Sequence, residues 1–229
     1  MDSPLRYRYN ISLDGGKRDY FFGRITTENV LSPPTAPLAL EVTSALLPLL
    51  TTATHRMLGY AYIANVLIGK GSTGAEIGVD VGDGLRTWLT ADPGKIFAVD
   101  PWERADWDEW FGCTQCQMDE RYKNVLDCFA GDDRVEIIRM SSADWFETSE
   151  SSSLDWCHID GDHREDGCYQ DLCSAHRCVK GGGYIFVDDT RCRKWRDGIA
   201  LAMKRFEQDG HRCDIVYANC DPVVLRVIK

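Results

Sequence analysis

From residue 70 to residue 229 the chain alternates short β-rich apolar runs with stretches whose apolar positions recur at helical spacing. Strands are predicted at 75–79, 95–100, 135–140, 154–160, 184–188, 213–218 and 223–228. Between them, Met118, Tyr122, Val125, Leu126 and Phe129 fall on one face of a helix. Cys168, Leu172, Ala175 and Val179 repeat that stripe, as do Trp195, Ile199, Met203 and Phe206. Strands that are apolar on both faces and separated by helices belong to a parallel sheet covered on both sides. The last two strands are joined by about four residues, too few for a parallel crossover, so they pair as a hairpin. The expected fold is α/β: a doubly wound, mostly parallel seven-stranded sheet with an antiparallel last strand.

The first 70 residues read differently. Residues 1–35 mix charges, aromatics and turn formers, end at Pro33-Pro34, and are expected to form an arm or lid. From Pro37 to Gly69 the chain is apolar, with Leu38, Leu40, Leu46, Leu47, Leu49 and Leu50 followed by Met57, Tyr60, Ile63 and Leu67. Glu41, Pro48, His55 and Arg56 interrupt it, which fits two amphipathic helices better than a membrane span. Two units follow: residues 1–70 as a helical appendage that shapes or closes an acceptor pocket, and residues 71–229 as the sheet domain. Dimerisation through the apolar helices near Leu38 to Leu67 is a further expectation.

Composition narrows the partners. The 229 residues suffice for one sizeable core, and 44% hydrophobic content excludes wholesale disorder. Asp and Glu outnumber Lys and Arg 36 to 26, a formal charge of −10 that repels nucleic-acid phosphates and anionic lipid. A small-molecule partner, with neither nucleic acid nor membrane, is expected. The N-terminus carries no apolar stretch of the signal-peptide kind, so a cytoplasmic location is expected and the ten cysteines are read as thiols. Cys113 and Cys116 form a lone CxxC with no second pair at zinc spacing, and Asn10 heads an idle glycosylation sequon.

The chemistry concentrates at strand ends. Glu76-Ile-Gly78-Val-Asp80-Val-Gly82-Asp83-Gly84 is a strand running into a glycine turn, where backbone must approach a ligand. Asp100 ends the next strand 22 residues after Gly78, where a carboxylate can accept both hydroxyls of a ribose. The glycines do not follow G-x-G-x-x-G, and Asp80 and Asp83 stand where a pyrophosphate would sit. Carboxylates repel a diphosphate and tolerate a sulfonium and an ammonium, so the turn favours S-adenosylmethionine over NAD.

With these residues in order, the sequence resembles the class I S-adenosylmethionine-dependent methyltransferases, in particular a small O-methyltransferase-like branch with IDGDH after the fourth strand. The resemblance covers about residues 72–229. It is carried by Glu76, Gly78 and Gly82; by Val99-Asp100-Pro101-Trp102; by Arg134-Val135 and Met140-Ser141-Ser142; by His158-Ile-Asp160-Gly-Asp162-His163; and by Gly181-Gly-Gly-Tyr-Ile-Phe-Val-Asp188-Asp189. The usual glycine of the turn is replaced by Asp80. The resemblance implies a Rossmann-like sheet, with Glu76, Gly78 and Gly82 near the methionine part of the cofactor and Asp100 on its ribose. It places Met140, Ser141 and Ser142 around the adenine. Trp102 is expected over a cofactor face or, with Trp107 and Trp110, in a surface cluster or acceptor wall.

Asp160, Asp188 and Asp189 project from neighbouring strand ends, and carboxylates that converge need protons or a cation between them. The resemblance implies a divalent metal there, Mg²⁺ by its preference for oxygen, binding the acceptor hydroxyl and lowering its pKa. The alternative has Asp160 on the cofactor's ammonium or capping a helix, with Asp188 or Asp189 paired to Arg191, Arg193 or Lys194. Because the cofactor supplies its own leaving group, the protein mainly aligns an acceptor and removes its proton. His163 and Asp162 are the candidate bases, Asp162 being equally suited to cap the following helix. His158, inside its strand, is expected to be a packed core residue, and His176, Cys173 and Cys178 occupy different faces of one helix.

The expected activity is methyl transfer to a hydroxyl of a small metabolite such as a sugar, polyketide or phenol. The competing readings are a cofactor-binding scaffold without turnover and an NAD-dependent oxidoreductase.

Overall fold

The structure is a computed structural model that describes residues 5–13, 16–25, 55–104, 112–218 and 222–229. Strands β1 (Leu5–Leu13) and β2 (Gly16–Ile25) pair antiparallel where an irregular arm was expected. Helix α1 (His55–Leu67) is the second of the two expected N-terminal helices; the first, like Trp107 and Trp110, lies outside the described residues.

The main sheet is built from β3 (Thr73–Ile77), β4 (Lys95–Asp100), β5 (Val135–Arg139), β6 (Leu154–Ile159), β7 (Val179–Val187), β8 (Cys213–Tyr217) and β9 (Val223–Val227). Its order is β5-β4-β3-β6-β7-β9-β8, with β9 antiparallel to both neighbours and the others parallel. Helices α2 (Asp83–Leu89), α3 (Gln115–Phe129), α4 (Ser142–Thr148), α5 (Glu165–Cys178) and α6 (Arg196–Gln208) intervene. This is the expected Rossmann-like sheet. Its winding reverses between the adjacent strands β3 and β6, which opens a crevice above their carboxyl ends.

Strand residues alternate between two cores, as the two-residue period requires. Cys157 and Ile159 of β6, with Ile185 and Val187 of β7, pack against Cys168, Leu172 and Ala175 of α5 and Ile199, Met203 and Phe206 of α6. Trp156 and Phe186 point the other way, toward Tyr60, Ile63 and Ala64 of α1 and Leu85 and Trp88 of α2. Tyr60 and Ile63, two of the residues expected to pair copies of the chain, are thus spent on its own core. Trp88 anchors that layer, with ring centroids 5.4 Å from Trp156, 5.0 Å from Phe186 and 4.8 Å from His158. Gly74 makes the packing of Trp156 feasible: a Cβ there would sit 1.9 Å from the indole.

Several boundaries differ from expectation. Helix α5 ends at Cys178, so Val179 begins β7 and pairs with Leu154. Residues 79, 140, 160 and 188, expected inside strands, stand just beyond them and so line the crest of the sheet.

Candidate active site

The crest is organised by Gly78, whose φ of +85° lets the chain turn off β3 while its N–H donates to the Val99 carbonyl at 2.9 Å. A Cβ at this position would lie 2.1 Å from the Asp160 carbonyl oxygen, so the ends of β3 and β6 approach as closely as they do only because the residue is glycine. Gly82, at φ +82°, ends the turn and caps α2.

Asp100 lies against this turn. Its Oδ2 accepts the backbone N–H groups of Val79 at 2.9 Å and Asp80 at 3.0 Å, and its Oδ1 accepts that of Trp102 at 2.6 Å. The residue expected on the ribose therefore also sets the shape of the glycine turn. Asp80, the unusual member of that turn, is neutralised by Arg121 of α3. Burial raises its pKa, and the Arg121 charge pulls it back.

Met140 and Ser141 stand on the other side of Asp100, and the Met140 N–H donates to the Asp100 carbonyl at 3.2 Å. Met140 is exposed, while Ser141 caps α4 by accepting the Asp144 N–H at 3.1 Å. Ser142 bonds the buried carboxylate of Asp171 on α5. Burial pushes Asp171 up to about 7, the Ser142 hydroxyl working against it, and its Oδ2 has no partner among the described residues. A folded value above the unfolded 3.8 gives stability that is present in acid and lost as the pH rises through about 7. Asp171→Asn is therefore expected to flatten the fall in stability between pH 4 and 8 by up to about 4 kcal/mol, measured by urea denaturation along that series.

Two residues that the resemblance places near the cofactor are buried among the described residues. Glu76 is 2% exposed in the α1–α2 layer, where its Oε1 accepts the Trp88 indole N–H at 3.1 Å and lies 3.3 Å from His158 Nδ1. A Cβ on Gly84 would sit 1.8 Å from that same oxygen, which shows how fully helix α2 closes over it. Trp102 is wholly buried beneath the turn, donating from Nε1 to the Asp80 carbonyl at 2.9 Å and stacking obliquely on Tyr122. It supports the turn from below.

The three carboxylates after β6 and β7 do not make one cluster. They divide into two groups that share Asp160, each with its own histidine: His158, Asp160 and Asp188 inside, and Asp160, His163 and Asp189 outside. In the inner group, His158 Nε2 lies 3.4 Å from Asp188 Oδ2, and the Tyr60 hydroxyl and the Asp189 N–H donate to Asp188 Oδ1. Burial works against a charge on His158, yet Asp188 and Glu76 outweigh it and raise its pKa to about 10. In the outer group, His163 Nε2 lies 3.3 Å from Asp160 Oδ1 and 3.2 Å from Asp189 Oδ2, with its ring stacked on Trp195. Those two carboxylates overcome burial and hold its proton to about 10. Burial, with the charge of Asp188, pushes Asp160 up to about 7 against the pull of both histidines.

Asp162 is occupied. Its carboxylate accepts the Arg164 N–H at 2.9 Å and the Arg164 guanidinium just before α5, whose first turn has no side-chain cap. His176 bonds the Arg212 carbonyl while Cys178 is buried, so that histidine and cysteine do not converge. The nine described cysteines are free thiols.

This crest, on this sheet order, belongs with a known group of proteins. A family model described as a methyltransferase domain matches residues 75–190. The chain belongs to this methyltransferase family. Among solved structures, the O-methyltransferase from Bacillus cereus in complex with SAH is 14% identical, with 88% of this chain and 94% of that one aligned at a TM-score of 0.52. Cofactor-bound Rv0187 from MTB is 18% identical over 84% of this chain and 88% of that one, also at 0.52. A Clostridium thermocellum protein named as an rRNA-methylase is 16% identical over 78% and 99%, at 0.51. At such identities the likeness establishes the methyltransferase fold. No curated protein matches the sequence. No helix among the described residues of this methyltransferase is long and apolar enough to cross a membrane.

Proposed function

We propose that this methyltransferase moves a methyl group from S-adenosylmethionine to a hydroxyl of a small-molecule acceptor. The observation that supports it is the shared crest: a glycine turn clamped by Asp100 stands beside a proton-holding group, Asp160, His163 and Asp189, across the β3–β6 switch point. Gly78, Gly82 and Asp100 bind the methionine and ribose parts, and Met140, Ser141 and Ser142 flank the adenine. Residues 1–70 shape the acceptor side. A formal charge of −10 favours a small acceptor over nucleic acid.

The donor set around Asp160 suits a divalent cation such as Mg²⁺, which Asp160 would hold with Asp188 or Asp189 and which would lower the pKa of an acceptor hydroxyl. His163 handles the proton. With both carboxylates facing it, the imidazole stays charged at neutral pH and cannot accept another proton. Were Asp160 to hold a cation, Asp189 alone would favour the imidazolium, which would then give up its proton to solvent more readily, and the neutral ring could accept the hydroxyl proton. Trp195 keeps the ring in place throughout.

Titration calorimetry tests the donor: S-adenosylhomocysteine is expected to bind and NADH to give no heat. Binding of NADH without S-adenosylhomocysteine overturns the reading. His163→Ala is expected to lower turnover by about 100-fold or more while changing S-adenosylhomocysteine affinity by less than about threefold. Equal losses in both would remove His163 from the proton transfer.

A further inference from the structure

Residues 190–196, which follow the paired aspartates at the end of β7, carry Arg191, Arg193, Lys194 and Arg196 and no acidic residue, in a chain whose formal charge is −10. Other exposed arginines of this protein meet a carboxylate, as Arg86 meets Asp83, Arg164 meets Asp162 and Arg205 meets Asp166. Here the first acidic residue to follow is Asp197, whose Oδ1 lies 3.5 Å from Arg196 Nε, too far for a hydrogen bond. Arg193 is exposed and has no carboxylate at ion-pair distance among the described residues. Arg191 donates from Nη2 to the Ala218 carbonyl at 2.9 Å, a contact that leaves its charge unneutralised by that partner.

The basic segment is fixed beside the candidate base. The Cys192 N–H donates to the Asp189 carbonyl at 3.0 Å, and those of Trp195 and Arg196 donate to the Cys192 carbonyl at 3.1 and 2.9 Å, so the chain coils directly from β7 into α6. Gly198, in the first turn of α6, lets that helix close on residues 163–165: a Cβ there would stand 2.5 Å from the His163 carbonyl oxygen. The Trp195 ring stacks on His163 with centroids 5.1 Å apart and planes 21° apart, and Lys194 Nζ lies 4.1 Å from the centroid of the same indole. One indole therefore holds both the ammonium and the imidazole.

We propose that the acceptor carries an oxyanion group, a phosphate ester or a carboxylate, which Arg193 and Lys194 hold at the rim of the site while its hydroxyl faces His163. This rests on the methyl-transfer reading above and names its substrate class. A hydroxyl by itself gives four clustered cations nothing to bind, whereas a phosphate or carboxylate relieves their mutual repulsion and matches the two-pronged guanidinium. The overall negative charge does not forbid such a ligand. At physiological ionic strength, charges beyond about 8 Å are largely screened, so the cations at contact distance decide. Anchoring the acceptor away from its reacting oxygen also aligns that oxygen for the in-line displacement.

The test uses the ¹⁵N-labelled full chain saturated with S-adenosylhomocysteine, with the Trp195 indole N–H signal assigned as the one lost in Trp195→Phe. Phenyl phosphate, benzoate and benzyl alcohol are titrated at physiological ionic strength. At least one of the two anions is expected to move that signal with an affinity about tenfold or more above that of benzyl alcohol, and the tighter anion identifies the group. Arg193→Gln combined with Lys194→Gln is expected to weaken that anion by about tenfold or more while changing S-adenosylhomocysteine affinity by less than about threefold. Lys70→Gln combined with Lys180→Gln removes the same charge before β3 and near the start of β7, at the other end of the sheet, and is expected to weaken the anion by less than about threefold. No preference for either anion, or equal weakening in the two double variants, overturns the assignment. Either result with S-adenosylhomocysteine binding intact removes the anionic acceptor alone; a protein that does not bind S-adenosylhomocysteine strikes the donor reading, and this assignment with it.

Discussion

Gly78→Ala is expected to destabilise the protein by about 3–5 kcal/mol and to lower S-adenosylhomocysteine affinity more than 100-fold. Two costs add at this position. The φ of +85° is one that an L side chain adopts only with strain, about 1–2 kcal/mol. The new methyl would also stand 2.1 Å from the Asp160 carbonyl oxygen, 2.5 Å from its carbon and 2.9 Å from the Gly161 nitrogen, all of them backbone. No rotamer change relieves such a clash, so the ends of β3 and β6 must separate. The separation opens the turn that Asp100 clamps and moves Asp160 away from both histidines. Gly71→Ala is the control: its φ is +73° but nothing lies within 4 Å of the added methyl, so it should show the conformational cost alone. Urea denaturation and calorimetry on both variants check the prediction. A folded Gly78→Ala protein with undiminished affinity would mean that this turn does not place the cofactor.

The sheet was legible in the sequence because its central strands β3, β4 and β6 are buried on both faces and read as mostly apolar runs. What misled was glycine. The strand expected at 184–188 stops short of Gly181, Gly182 and Gly183, since glycine weakens strands, yet β7 runs through them from Val179. At the N-terminus the opposite happened: Tyr7, Tyr9, Ile11 and Leu13 alternate with Arg6, Arg8, Asn10 and Ser12, and Asp14-Gly15 is a strong hairpin dipeptide. The charges and aromatics hid that period among the turn formers.

The crest itself followed from topology, for Gly78, Asp100, Asp160 and Asp188 each end a strand that the pattern had located. How the crest divides its carboxylates did not follow. The partner that steadies Asp188 is Tyr60, 128 positions earlier. Glu76 meets His158 only through the β3–β6 register, which no local pattern encodes. The expectation of a buried His158 was right about burial and silent about its neighbours. Two polar residues inside apolar strands are nonetheless a signal of their own, because a buried charge is retained only beside another. Asp162 offers the contrast: Arg164, the partner of its carboxylate, stands two residues on and was visible in the sequence.

Asp100→Ala and Asp100→Asn are expected to separate the two tasks of one carboxylate. Alanine leaves the Val79, Asp80 and Trp102 N–H groups without their acceptor in a site only 8% exposed. Orphaned donors cost about 1–3 kcal/mol each when water cannot reach them, and partial hydration of Asp80 reduces the sum, so a loss of about 2–4 kcal/mol is expected. Trp102 then loses its tether, and with it the contact from its indole to the Asp80 carbonyl. Cofactor affinity should fall more than 100-fold because the turn is no longer shaped. Asparagine retains one carbonyl acceptor, which can serve the Val79 and Asp80 pair, at a stability cost of about 1 kcal/mol. It replaces the other oxygen by a donor that meets the Trp102 N–H, and it removes the charge that would bind ribose hydroxyls. The expected result is a protein near wild-type stability whose S-adenosylhomocysteine affinity is still down about 10- to 100-fold. Thermal denaturation beside calorimetry reads the two effects separately. If asparagine restores affinity along with stability, Asp100 acts on the cofactor only by holding the turn, and the ribose must find its acceptor elsewhere on the crest.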